Sequence, residues 1–168
     1  TFLTIGLGTS VASDVDTVLI DPGKYFENIV SSDVDIHIAS YYITSGDRSY
    51  IDTTIIDAQQ NGSGIWVNSS SNQYRASNVK LSGLTISNAS YGSNGYNDGS
   101  GVRADNVESL TLDNLNVRNN TGRHGGGISV YSSDKLIIKN SHIHSNQAEQ
   151  HGGGIKAEQI GKLHLENT

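Results

Sequence analysis

The sequence predicts an all-β fold of parallel strands stacked in successive similar coils, and three observations carry that prediction. Residues 110–135 (LTLDNLNVRNNTGRHGGGISVYSSDK) and 136–162 (LIIKNSHIHSNQAEQHGGGIKAEQIGK) are near copies of one another, with a looser copy at 79–109 and a truncated one at 163–168, a period of about 26–31 residues. Such a period denotes a stack of like units rather than one closed globule. Within each copy apolar and polar residues alternate over three short runs, which is the period of a strand. Runs of three or four residues cannot pair in parallel inside their own copy, because a parallel connection needs a long crossover, so each must pair with its equivalent in the next copy.

The elements follow in order along each copy. The first strand is carried by Val79 and Leu81, then Leu110 and Leu112, then Leu136 and Ile138. The second is carried by Leu84 and Ile86, by Leu115 and Val117, and by Ile143. The third is carried by Val102 and Ala104, by Ile128 and Val130, and by Ile155 and Ala157. Stacking therefore predicts buried columns, Leu112 over Ile138 and Leu165, and Ile65 over Val102, Ile128 and Ile155. Between the first two strands lie Asn114, Asn140 and Asn167, with Gly83 at the same point earlier. Asn tolerates the left-handed backbone of a sharp corner, and these amides either bond to one another along the stack or remain solvated turn residues. The triplets Gly125-Gly126-Gly127 and Gly152-Gly153-Gly154 mark a tight bend before the third strand. Residues 41–53 and 68–77, rich in Ser, Tyr, Asn and Asp, read as loops leaving the stack.

The opening adds a resemblance. Phe2-Leu3-Thr4-Ile5, then Asp14 through Ile20 (DVDTVLI), then Pro22 through Asn28 (PGKYFEN) are similar to the common start of right-handed parallel β-helix proteins of the pectate-lyase-like superfamily. Thr54-Ile55-Ile56-Asp57 and Gly83-Leu84-Thr85-Ile86 share that family's style. The resemblance covers almost the whole chain and implies a right-handed, single-stranded parallel β-helix with a short N-terminal cap helix and an open C-terminal end. Val15 stands where the family has glycine, and Gly6, Gly8 and Thr9 weaken the cap helix. The fold carries many activities, so the resemblance implies an architecture rather than a reaction.

Length and composition bound the rest. The 168 residues are expected to form a single domain, 1–168. The chain has no Cys, which removes disulfides and thiolate metal sites, and no Met even at position 1, so it is expected to be a processed chain or a piece of a longer one. Residues 163–168 begin a further coil, so the native protein is expected to continue past Thr168. The remainder of that chain, or a partner, would then cap the open coil. A net charge of −6, without a block of like charges, argues against nucleic acid or an anionic membrane as partner. No apolar run reaches the roughly 18 residues of a membrane span. The expected setting is a secreted or cell-surface bacterial protein.

Columns also locate candidate chemistry. Aligning the glycine bends places Asn61, Asp98, His124 and His151 in one column, with Asn97, Arg123 and Gln150 before it. The outward positions of the third strand collect Arg103, Ser129 and Lys156, then Asp105, Tyr131 and Glu158. The candidate ligand-binding residues are Arg103, Asp105, Tyr131, Lys156, Glu158, His124 and His151. The resemblance implies that an elongated polar face of this kind holds an oligosaccharide. A uronate lyase would need Ca²⁺ on several carboxylates and an Arg or Lys base, for which the face offers only Asp98, Asp105 and Glu158 beside Arg103 and Lys156. A glycoside hydrolase needs two or three acids at set separations, and the chain has no Asp-Asp pair. The motif Arg123-His124-Gly125-Gly126 recurs as a His-Gly-Gly-Gly in the next copy, which favours a structural bend over a catalytic His. His142 and His144 share one side of a strand but are columned with Asn116 and Arg118, so they read as a solvent-facing pair. No catalytic residue, cofactor or metal is assigned. The expected function is an extracellular β-helix module serving as structural or adhesive stalk or as a carbohydrate-contacting surface. The alternative is the N-terminal part of a polysaccharide lyase or glycoside hydrolase whose catalytic coils lie beyond residue 168.

Overall fold

A computed structural model describes residues 3–70, 75–76, 78–91 and 100–168. The first element, α1 (Ile5–Val11), is a poor helix on propensity alone, since it is seven residues long and contains Gly6 and Gly8. Side chains from outside hold it. Thr4 is its N-cap and accepts from the Leu7 N–H at 3.1 Å, while the Glu27 carboxylate accepts from the Ile5 and Gly6 N–H groups at 3.1 and 2.9 Å. Ile5 is buried and closes one end of the core.

Strands β1 (Asp16–Ile20), β2 (Gly23–Tyr25), β3 (Ile29–Ser32) and β4 (Ile36–Ser40) follow. Next come two short helices, α2 (Tyr42–Ser45) and α3 (Ser49–Thr53), where the sequence reads as loop. Tertiary contacts hold them against the stack: Ile51 is buried, its carbonyl accepts from the Thr85 hydroxyl at 2.7 Å, and Arg48 Nη1 donates to Asn114 Oδ1 at 2.6 Å. The chain continues through β5 (Thr54–Asp57), β6 (Ile65–Asn68), β7 (Val79–Ser82), β8 (Thr85–Ser87), β9 (Val102–Asp113), β10 (Asn116–Arg118) and β11 (Thr121–His124). It ends with β12 (Ile128–Lys139), β13 (His142–His144), β14 (Gln147–His151) and β15 (Ile155–Glu166).

Every paired strand named here is parallel to its partner. One eight-stranded sheet runs β1-β4-β7-β9-β12-β15, with β3 and β6 joining through β9; a five-stranded sheet runs β2-β5-β8-β10-β13; and β11 pairs with β14. Strands meet their equivalents from the neighbouring repeat in register, apart from a shift between Gly122 and His124 in the β11–β14 pair, so Ile65, Val102, Ile128 and Ile155 form one column and Leu81, Leu112, Ile138 and Leu165 another. Both expected columns are present, but their expected burial ends at β12, because no further repeat among the described residues covers β15 and Ile155 there is only partly buried. Leu112, Ile138, Ile65, Val102 and Ile128 are fully buried, whereas Leu163 and Leu165 on β15 are each 52% exposed.

Two features differ from the expected three-strand repeat. In β9, β12 and β15 the third strand runs straight into the first strand of the next repeat, making 12-residue elements. The corner is a single left-handed residue, Asn106, Ser132 or Gln159, with φ of 58°, 58° and 54°. Arg75 clamps this corner across two repeats, donating to the carbonyls of Asn106 at 3.3 Å, Val107 at 2.7 Å and Ser132 at 3.1 Å. A fourth short strand, β11 or β14, precedes the glycine bend, so His124 and His151 lie on strands rather than in the bend itself.

The corner asparagines behave as expected. Gly83, Asn114, Asn140 and Asn167 have φ of 70°, 54°, 51° and 49°. Asn167 Nδ2 donates to Asn140 Oδ1 at 3.1 Å, but Asn114 and Asn140 both turn to the Asp113 carboxylate, at 2.7 and 3.3 Å. The buried amide ladder lies elsewhere. Asn120, 1% exposed, accepts from the Ala89 N–H at 2.9 Å and donates to the Ile86 carbonyl at 3.2 Å and to Asn146 Oδ1 at 3.0 Å. At the glycine bend, a Cβ on Gly126 would overlap the Gln147 carbonyl of the next repeat, so the triplet serves close approach between repeats as well as turning.

Candidate ligand face

The stacked strands β6, β9, β12 and β15 turn two columns of side chains outward. One holds Trp66, Arg103, Ser129 and Lys156, and the other Asn68, Asp105, Tyr131 and Glu158. Strand spacing sets neighbours in a column about 4.8 Å apart along the stack. Five of the seven expected binding residues, Arg103, Asp105, Tyr131, Lys156 and Glu158, therefore share one face.

Their contacts define what that face can do. Trp66 Nε1 and Arg103 Nε both donate to Asp105 Oδ2 at 2.7 Å, and the Arg103 guanidinium lies 4.9 Å from the centre of the Trp66 ring. Indole, guanidinium and carboxylate thus form one rigid unit spanning two repeats. Tyr131, 43% exposed, follows Asp105 in its column, and Lys156 and Glu158 pair at 3.0 Å one repeat later. With one carboxylate oxygen already taking two charged or polar donors, Asp105 is arranged as an orienting group rather than a base.

Trp66 is absent from the sequence-derived candidates. The signal was available: Trp66 follows Ile65 as Arg103 follows Val102, in a column already recognised through Ile65. Asp98 and Asn97 lie outside the described residues. Asp105 and Glu158, two repeats apart and each held by a cationic side chain, do not make a Ca²⁺ cage. Among the described residues no group of three or more His, Cys, Asp or Glu is gathered.

The two remaining candidates sit apart from this face. His124 and His151 are paired residues of β11 and β14, with rings stacked at 5.3 Å and 13° between planes. They lie on the two-stranded sheet, across the glycine bend from Arg103 and Tyr131. His142 and His144 are columned with Asn116 and Arg118 as expected. Rather than both facing solvent, His144 is half-buried and its Nε2 is 3.2 Å from Asn116 Oδ1. Burial, then the charges of His142 and Arg118, lower the His144 pKa, which keeps the ring neutral beside a permanent cation.

No family model, curated protein or solved structure matches the chain. Among the described residues, no helix is long and apolar enough to cross a membrane.

Proposed function

We propose that the chain is a right-handed, single-stranded parallel β-helix module of the pectate-lyase-like kind, belonging to a secreted or cell-surface bacterial protein, and that it serves as a structural or adhesive stalk whose outward strand face contacts polysaccharide. The observation that carries this reading is the locked Trp66–Arg103–Asp105 unit with Tyr131 beside it. Sugar rings present axial C–H groups that lie against aromatic faces, and guanidinium and ammonium groups bond hydroxyls and carboxylates. A rigid aromatic anchor loses little conformational freedom on binding, which suits a shallow surface. The regular in-register stacking supports the solenoid part of the reading, because each repeat buries its apolar columns only against the next.

A uronic-acid oligosaccharide is the first ligand to test, since Arg103 and Lys156 can meet its carboxylates. The chain is screened against immobilised oligogalacturonate and neutral glucan. Retention should fall with added salt, and Tyr131→Ala or Lys156→Ala should weaken it. Retention of neither glycan, or retention unchanged in both variants, would leave a scaffold without a ligand face.

A further inference from the structure

The chain's negative charge is not evenly spread. Residues 1–36 hold six carboxylates, from Asp14 to Asp35, against Lys24 alone, so five of the six net charges fall there. Lys24 is itself engaged by Asp57 at 2.7 Å.

The same end holds a free edge of the large sheet. β1 pairs with β4 on one side and has no other strand neighbour among the described residues. Beside it runs a cavity of about 520 Å³, walled by Ile5, Gly8, Val11 and Ala12 from α1 and its flank, and by residues Asp16 to Asp21 with Tyr25 and Tyr41. That volume is within the range of ligand sites, about 300–1,000 Å³. Of its lining residues Val11 and Leu19 are 56% and 38% exposed, so apolar surface is open to solvent here. Val18 and Ile20 occupy the same columns as the buried Ile38 and Ser40, so one further strand at this edge would set alternate side chains over them, beneath α1.

We propose that this slot is a strand-addition site for a basic, extended segment of another protein. Its backbone adds to the β1 edge, its alternate apolar side chains enter the cavity, and its Lys or Arg residues meet Asp16 at one end and Asp21 at the other. Asp16 opens the five-residue strand and Asp21 follows it, roughly 17 Å apart, so the matching basic residues stand about five positions apart. Main-chain hydrogen bonds supply affinity in this mode, and the side-chain pockets and flanking charges supply selectivity.

The test uses the whole chain and a labelled peptide, Arg-Val-Thr-Val-Thr-Lys, read by fluorescence anisotropy. Saturable binding that weakens as salt is raised is expected. The same peptide with Glu at both ends should bind about tenfold or more weakly, and one N-methylated at alternate amides should lose binding. Asp21→Lys, with its circular dichroism and melting unchanged, should weaken the basic peptide and strengthen the acidic one. No binding of the basic peptide at about 1 mM would overturn the proposal and leave the acids as guards against edge pairing. Equal binding of the acidic or N-methylated peptide would overturn it as well. Concentration-dependent self-association abolished by Asp21→Lys would also overturn it, assigning the edge to a second copy.

Discussion

Truncating Asn120 to alanine should cost more than truncating any corner asparagine. The Ala89 N–H that bonds to Asn120 Oδ1 is in a site from which water is excluded, so it would lose its acceptor without replacement. Leaving one such donor unsatisfied costs about 1–3 kcal/mol. Asn146 Oδ1 and the Ile86 carbonyl each lose a donated bond as well, and the missing amide leaves a small void. The total is about 2–4 kcal/mol, which for a chain of this size lowers the melting temperature by about 5–15 °C. Asn140→Ala is the comparison. It removes a 3.3 Å bond to Asp113 and a 3.1 Å bond from Asn167 at a half-buried corner, and places alanine at φ 51°, together about 1–2 kcal/mol. Urea unfolding followed by far-UV circular dichroism measures both. A loss under about 0.5 kcal/mol for Asn120→Ala, or an equal loss for the two variants, would refute the claim that the buried ladder organises the stack.

Other perturbations have equally definite outcomes. Val15 is a β-branched residue at φ 66° just before β1, so Val15→Gly should stabilise the chain by about 1 kcal/mol in the same assay. Leu112→Ala should cost about 2–5 kcal/mol, since Leu112 is fully buried between Leu81 and Ile138, and a loss below 1 kcal/mol would place it outside the core. Burial, reinforced by Lys80, pulls the His37 pKa down to about 4. The unfolded chain, with a histidine near 6.5, then binds more protons in between; the stability His37 contributes is fully present above about pH 6.5 and is lost as pH falls toward 4. After allowance for partial solvent screening this is about 1–2 kcal/mol, and His37→Gln should flatten that part of the stability profile.

The apolar columns were readable because a narrow core accepts little but Leu, Ile and Val at alternate positions, as at Leu110, Leu112, Leu136 and Ile138. Corners at Asn114 and Asn140 were readable because few residues tolerate a left-handed backbone. The strands β11 and β14 were not, because Gly122 and Ala148 give no alternation to detect. Asn120 was hidden for a related reason: a polar residue whose bonds are all to neighbouring repeats looks like loop. Fusion of strands into β9, β12 and β15 escaped notice because the intervening corner needs one left-handed residue and no Gly or Pro. The helices α2 and α3 depend on Ile51 and Arg48 reaching the stack, which local propensity does not encode. For the ligand face, the register of Arg103, Ser129 and Lys156 followed from aligning the glycine bends. Trp66 could be placed beside Arg103 from Ile65 in the same column, but its bond to Asp105 and its packing on Arg103 depend on side-chain conformations that spacing does not encode.

Trp66 is the chain's one tryptophan and it sits in the proposed ligand face, so its fluorescence reports on that face alone. Titrating the intact chain with oligogalacturonate should shift or quench this emission along a saturable curve, with the midpoint moving to higher ligand concentration in Tyr131→Ala and as salt rises. Emission that stays constant to about 10 mM of acidic and neutral oligosaccharides alike, in a chain whose circular dichroism shows it folded, would contradict the glycan-contacting reading.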